Sequence, residues 1–300
     1  LNIKKISNQN IKNLKIPALN YLFKRVDNKK RADIEFEIEL EDKTTRWVLG
    51  SMNTSKTTGD YILVVHDITQ LRQLNSMRRD FISNLSHELR TPVSVIRANS
   101  ETLLDGALDN KKEAKTFARA ILHNSERLSV MVADLIDLSR IEYGDLKLNI
   151  KKIDLISFME NFVTSMKSVT KKKEIEIIFK SNHYDFVKAD PQALERIMNN
   201  LVDNAFKYSE KGSIIEISTI TEYQHVKVMV SDSGVGVSDE DKSHIFDRFY
   251  RTASARASDN KGSGLGLAIV KNLTNSLNGE VGVESRSDAG SIFWFTLPID

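Results

Sequence analysis

The strongest constraint on this fold is a seam that steps by alternating fours and threes. Phe117, Ile121, Asn124, Leu128, Met131, Leu135 and Leu138 follow one another at that spacing, the heptad pattern of a helix that packs along one stripe. Asn124 is its one polar member. Upstream, Leu71, Leu74, Phe81, Leu85, Leu89, Ile96 and Leu103 lie on one stripe of an earlier helix. Between the two, "DGALDNKKE" (105–113) reads as a turn. Two long helices with a short connection form a hairpin whose apolar stripes exceed what one hairpin can cover. The expected solution is a four-helix bundle made by two chains, a homodimer; a long coiled coil within one chain is the alternative.

On either side of the hairpin the period changes. "DIEFEIELE" (33–41) alternates apolar and acidic residues, and "RWVLGSMNTS" and "DYILVVHDIT" supply two further strand candidates around the turn "SKTTGD". Residues 1–68 thus read as a small α/β module with three antiparallel strands. In 146–300, "EIEIIF" and "FVKA" read as strands, and "DPQALERIMNNLVDNAFKYS" as a helix with Asp190 as N-cap and Pro191 at its first position. "SIIEISTITEYQHVKVMVSD" and "GEVGVESRSDAGSIFWFTLP" read as two hairpins. The expectation is a sheet with helices segregated to one face, an α+β two-layer sandwich. The domain boundaries are placed at 1–68, 69–145 and 146–300.

Composition narrows the chemistry. A net charge of +2 over 300 residues leaves no field that demands a nucleic acid. The basic stretch at residues 1–30 reads as solvated surface, so no direct nucleic-acid partner is expected. The absence of cysteine removes disulfides, thiolate metal sites and cysteine nucleophiles. No apolar run reaches the roughly 18 residues of a membrane span, and no signal-peptide pattern is present. Because the first residue is Leu1, the chain is expected to be a fragment of a longer protein.

Two glycine clusters, "SDSGVGV" (231–237) and "GSGLGLAIV" (262–270), carry the first chemical signal. In the second, Gly262, Gly264 and Gly266 precede an apolar helical run, where a backbone can approach phosphates closely. On the helix after Pro191, Asn200, Asn204 and Lys207 share a face distinct from the apolar one. Two amide oxygens beside a cation suit a Mg²⁺–phosphate site; a polar outer face is the plainer reading. Asp232, after a hydrophobic strand, is placed either to accept a hydrogen bond from a base amino group or to make a turn.

In order, "NNLVDNAFKYS", "SDSGVGV", "IFDRFYR" (245–251) and "GSGLGLAIVK" resemble the N, G1, F and G2 boxes of the GHKL (Bergerat-type) ATPase superfamily. Upstream, "FISNLSHELRTPVSVI" resembles the H box of the sensor histidine kinases of two-component systems. Residues 1–68, and "HDIT" above all, resemble the second half of a PAS sensor domain, with the first half missing.

The resemblance implies an ATP-dependent histidine kinase with ATP and Mg²⁺ as cofactors, acting as a homodimer and passing its phosphoryl group to the receiver domain of a response regulator. His87 would be the phosphoacceptor. It lies two positions from both Leu85 and Leu89, so it points away from the seam. Glu88 would take or orient the imidazole proton, and Thr91 would position water in the reverse, phosphatase reaction. Pro92 would interrupt and bend the helix beside the reactive site.

In the ATP site the resemblance assigns Mg²⁺ to Asn204 with Asn200 in support, Lys207 to the phosphates, Tyr208 to the nucleotide edge and Asp232 to the adenine amino group. Gly234 and Gly236 would let the base lie on the backbone, and Gly262, Gly264, Leu265, Gly266 and Leu267 would form the second box. Residues from about 238 to 261 would be a lid anchored by Phe246 and Phe249, with Arg248, Arg251 or Lys261 reaching phosphate. The segment would be cytoplasmic, with any membrane anchor of the parent lying in its missing N-terminal part. The alternative function is a GHKL ATPase of chaperone or DNA-repair type, which shares the ATP boxes and has no use for "SHELRTP".

Overall fold

The computed structural model describes residues 17–29, 31–40, 42–55, 60–142, 144–181, 186–257, 262–286 and 290–300. The chain forms two compact units, Leu1–Ser83 and Asn84–Asp300.

In the first unit, helix α1 (Pro17–Lys29) lies on a three-stranded antiparallel sheet of β1 (Arg31–Glu39), β2 (Thr45–Thr54) and β3 (Tyr61–Asp67), in the order β1-β2-β3. The alternation expected for β1 is observed, and a small core of Leu19, Leu22, Val26, Ala32 and Met52 closes the layer. β3 passes into the long helix α2 (Thr69–Leu104) through a bonded junction. The Thr69 amide donates to Asp67 Oδ1 at 2.9 Å, and the Trp47 amide donates to Thr69 Oγ1 at 3.0 Å. Arg72, one turn into α2, lies 4.2 Å from the Trp47 ring centroid and donates to Glu35 from Nε at 2.7 Å.

The second unit begins within α2. This helix runs on through Pro92 to Leu104, so the interruption expected there is not seen, and Pro92 itself is buried. A proline removes one backbone donor; here the ring is accommodated within the helical run. After a short 3₁₀ turn at Ala107–Asp109, α3 (Lys111–Glu142) returns. It starts earlier than the turn reading of 105–113 anticipated. Asn110 caps it: Oδ1 accepts from the amide of Lys112 at 3.1 Å, while Nδ2 donates to Glu113 at 2.9 Å. Along the seam Met131 and Leu138 are buried, and Phe117, Ile121, Asn124, Leu128 and Leu135 are half-buried.

Next come β4 (Lys151–Asp154), α4 (Leu155–Ser165), α5 (Lys167–Lys173), β5 (Glu176–Lys180), β6 (Phe186–Ala189) and α6 (Pro191–Tyr208). β7 (Ile214–Glu222), β8 (His225–Ser231), α7 (Asp239–Lys242), α8 (Ala253–Ala257), α9 (Gly266–Ser276), β9 (Val281–Ser285) and β10 (Ser291–Pro298) complete the chain. The main sheet runs β5-β7-β8-β10-β9, with β5 parallel to β7 and the other pairs antiparallel; β4 and β6 form a second, two-stranded sheet. One face of the main sheet is buried under α4, α6 and α9, through Ile215, Ile217, Val228 and Phe295 against Met159, Ile197, Leu201 and Ile269. This is the α+β layering expected.

The cap on α6 is stronger than one hydrogen bond. Asp190 accepts from the amides of Gln192 (2.8 Å), Ala193 (3.0 Å) and Asn149 (2.6 Å). Burial opposes ionisation of this carboxyl, yet the three amides hold it below the usual carboxylate range. One acid thus fixes both the start of α6 and the segment that leads into β4.

Candidate active site

His87 is exposed on α2, between the half-buried Leu85 and Leu89. Thr91 is one turn further on, and its Oγ1 donates to the His87 carbonyl at 3.3 Å. Glu88 is half-buried and receives a hydrogen bond from Arg127 of α3. The three residues expected to carry the phosphoryl chemistry therefore lie within four positions of one helix.

A cavity of about 580 Å³ opens in the same unit. Asn200, Asn204, Lys207 and Tyr208 line it from α6; Asp232 and Gly236 from the turn after β8; and Gly262, Gly264, Gly266 and Leu267 from the entry to α9. The sequence thus brings residues from three separate segments to one wall. Leu265 is fully buried beneath that wall, just before α9, and holds it from inside. Gly234 belongs to the turn after β8: a Cβ on it would stand 2.7 Å from the Tyr208 carbonyl oxygen, so only glycine lets the turn close on the end of α6. Gly264 has φ +71° and lies against the Phe249 backbone, whose amide donates to the Gly264 carbonyl at 2.9 Å. That contact ties the segment carrying Phe249 to the second glycine cluster.

Asp232 is 4 % exposed. Burial pushes its carboxyl up, while the amides of Gly234 (2.8 Å) and Ser291 (3.3 Å), both on Oδ1, oppose the shift. Oδ2 has no partner among the described residues, so one oxygen of a carboxyl that lines the cavity is left to accept from a ligand donor. The Asn204 side chain likewise makes no hydrogen bond among the described residues and faces the cavity. Asn200 donates through Nδ2 to the Arg196 carbonyl at 2.9 Å, which keeps its Oδ1 an acceptor. Burial raises the Tyr208 hydroxyl pKa. Lys207 pairs with Asp203 at 3.3 Å on the rim.

The basic residues expected to reach phosphate divide. Arg251 lines the cavity and donates to the Ala255 carbonyl. Arg248 does not line it and pairs instead with Glu142, at the end of α3. Phe246 is buried, and Lys261 lies outside the described residues. Residues that sequence reasoning missed close the cavity from the hairpin side: Arg127, Met131 and Asp134 of α3. Arg196 of α6 donates to Asp134 at 2.6 Å and pairs with Asp137 at 3.2 Å. Periodicity marks these charges only as an outer helical face, and no local signal pairs them.

The fold and site define the class: a GHKL-type ATP-binding domain joined to a helical hairpin that displays a histidine. Residues 77–144 match the family described as His Kinase A (phospho-acceptor) domain, and residues 189–300 that of the histidine kinase-, DNA gyrase B-, and HSP90-like ATPases. The chain is 35 % identical over 237 residues to the sensor-like histidine kinase SenX3 of Mycobacterium tuberculosis, covering 79 % of this chain and 58 % of SenX3. It is 33 % identical over 240 residues to the sensor histidine kinase WalK of Bacillus subtilis, covering 79 % of this chain and 39 % of WalK. It therefore spans about half the length of these curated relatives. The histidine kinase ThkA, solved in complex with the response regulator protein TrrA, shares the fold at a TM-score of 0.63 and 21 % identity, covering 95 % of this chain and 85 % of that one. The chain belongs to the two-component sensor histidine kinases.

Proposed function

We propose that this chain is the catalytic part of a homodimeric sensor histidine kinase that phosphorylates His87 from ATP and passes the phosphoryl group to an aspartate of a response regulator receiver domain. The observation that carries the reading is an exposed histidine in "SHELRTP" in the same compact unit as a cavity lined by residues of all four nucleotide boxes. The proposed functional segments are 1–68, a partial PAS-like sensor module; 69–145, the phosphotransfer hairpin; and 146–300, the ATP-binding domain.

In this reading Asp232 Oδ2 accepts from the adenine amino group, and Lys207 turns from Asp203 toward the phosphates. Asn204, supported by Asn200, would hold the Mg²⁺, whose charge offsets that of the phosphate oxygens. The donor set fits, since Mg²⁺ needs few protein oxygens and the Asn204 amide makes no other hydrogen bond among the described residues. A ring nitrogen of His87 attacks the γ-phosphorus, the bond to the β-phosphate oxygen breaks to release ADP, and the imidazole proton passes to Glu88. In the reverse direction, Thr91 positions water against the phosphorylated regulator. The dimer reading is supported by Val93, Leu104, Leu108, Leu122 and Val132, apolar hairpin residues that one chain leaves exposed. Among the described residues no helix is long and apolar enough to cross a membrane.

The test is incubation with γ-labelled ATP. Acid-labile, base-stable label is expected on the wild type and none on His87→Gln. Label that persists in that variant, or none on a wild type that binds ATP, would overturn the kinase.

A further inference from the structure

Glu88 follows His87 directly on α2, and its carboxylate is held from across the hairpin. Arg127 Nη2, on α3, donates to Glu88 Oε2 at 3.2 Å. The pair is largely enclosed, with 14 % of the Arg127 side chain and 29 % of the Glu88 side chain exposed, so water and salt screen it less than a surface pair. Oε1 has no partner among the described residues. Arg127 also lines the nucleotide cavity, where its Nε is buried and makes no hydrogen bond among the described residues. Arg127 therefore binds the neighbour of the phosphoacceptor and is also one of the residues that line the cavity.

We propose that Arg127 is a positioning residue for phosphorylation of His87: it anchors one oxygen of Glu88 so that the other is presented to the imidazole. The inference rests on the kinase reading and adds to it a residue from the facing helix. A glutamate side chain rotates about three bonds, and a proton acceptor that wanders loses the advantage of proximity. A permanently charged, planar donor suits the task, because it fixes the carboxylate in direction as well as distance. An ion pair that only ties α2 to α3 would have the same geometry, so the test must separate the two roles.

Labelling rates at saturating ATP are measured for the wild type, Arg127→Met, Glu88→Gln and the double variant, with Arg127→Lys alongside and thermal unfolding as the folding check. Arg127→Met is expected to slow labelling about tenfold, and Arg127→Lys to recover most of that loss. In the Glu88→Gln background, Arg127→Met is expected to change the rate by less than about twofold, because the group it positions is gone. An equal loss in both backgrounds, or none in either, overturns the proposal. Should Glu88→Gln leave no measurable label, the same cycle is read from modification of His87 by diethyl pyrocarbonate, followed by mass spectrometry, which needs no ATP. The same pattern is expected, and equal effects in both backgrounds again overturn the proposal. A wild type without label on His87 overturns the kinase reading and this inference with it; normal wild-type labelling with additive effects overturns the inference alone.

Discussion

Arg196 of α6 donates to Asp134 of α3 at 2.6 Å, joining the ATP-binding domain to the phosphotransfer hairpin at a carboxylate that is only 7 % exposed. Burial pushes the Asp134 carboxyl up, and the Arg196 guanidinium opposes that shift by favouring its charged form. Removing the cation leaves that charge unpaired. Arg196→Ala is therefore expected to destabilise the chain by about 1–2 kcal/mol, less than for a wholly buried pair because Arg196 is part-exposed. Asp134→Asn should recover part of the loss in the double variant. Denaturant unfolding of the four proteins checks this, and strictly additive effects would show that the pair is not coupled.

Adenine recognition should depend on Asp232. Its free Oδ2 leads us to expect that a nucleotide lacking the 6-amino group binds about tenfold or more weakly than ATP. Asp232→Asn should weaken ATP and erase most of that preference. Because burial raises this carboxyl, the preference should fade on acidification at a higher pH than for an ordinary carboxylate. Calorimetric titration with both nucleotides across pH is the measurement.

Thr91 should divide the two directions of phosphoryl flow. Its hydroxyl rests on the His87 carbonyl at 3.3 Å, a weak bond that leaves it able to turn toward water. Thr91→Ala is expected to lower the rate of regulator dephosphorylation by about tenfold, with a much smaller effect on label uptake by His87. Equal losses in both assays would place Thr91 in the structure of the helix rather than in the hydrolytic step.

The α6 cap should govern stability at low pH. The Asp190 carboxyl lies below its unfolded value, so its contribution is fully present above about pH 4 and is lost as pH falls through the lower folded value. Asp190→Ala should cost about 1–2 kcal/mol at neutral pH. The variant should also lack the part of the acid-side slope that Asp190 supplies. Urea midpoints from pH 7 to pH 3 test both statements.

Much of this architecture was legible because its signals are local. The four-three seam from Phe117 to Leu138 marks α3, Asp190 and Pro191 mark the start of α6, and alternation marks β1. A local signal was also overlooked at α4, where Asp154 caps a helix that buries Leu155, Met159 and Phe162. At Pro92 the local rule led the other way: proline disfavours a helical interior, yet the ring is buried and α2 runs on to Leu104.

By itself, the sequence determined which residues are able to do chemistry: a histidine on a helical face away from its apolar stripe, an asparagine pair at helical spacing, and glycines where backbone must come close. Tertiary structure alone decided what they meet. The parallel pairing of β5 with β7, the approach of Gly234 to Tyr208, and the contacts of Arg127 with Glu88 and Arg196 with Asp134 join residues far apart in the chain. Periodicity records only whether a side chain faces a core or solvent. Which distant charge stands opposite a polar face depends on how helices and sheet pack, and that is settled by the whole buried surface.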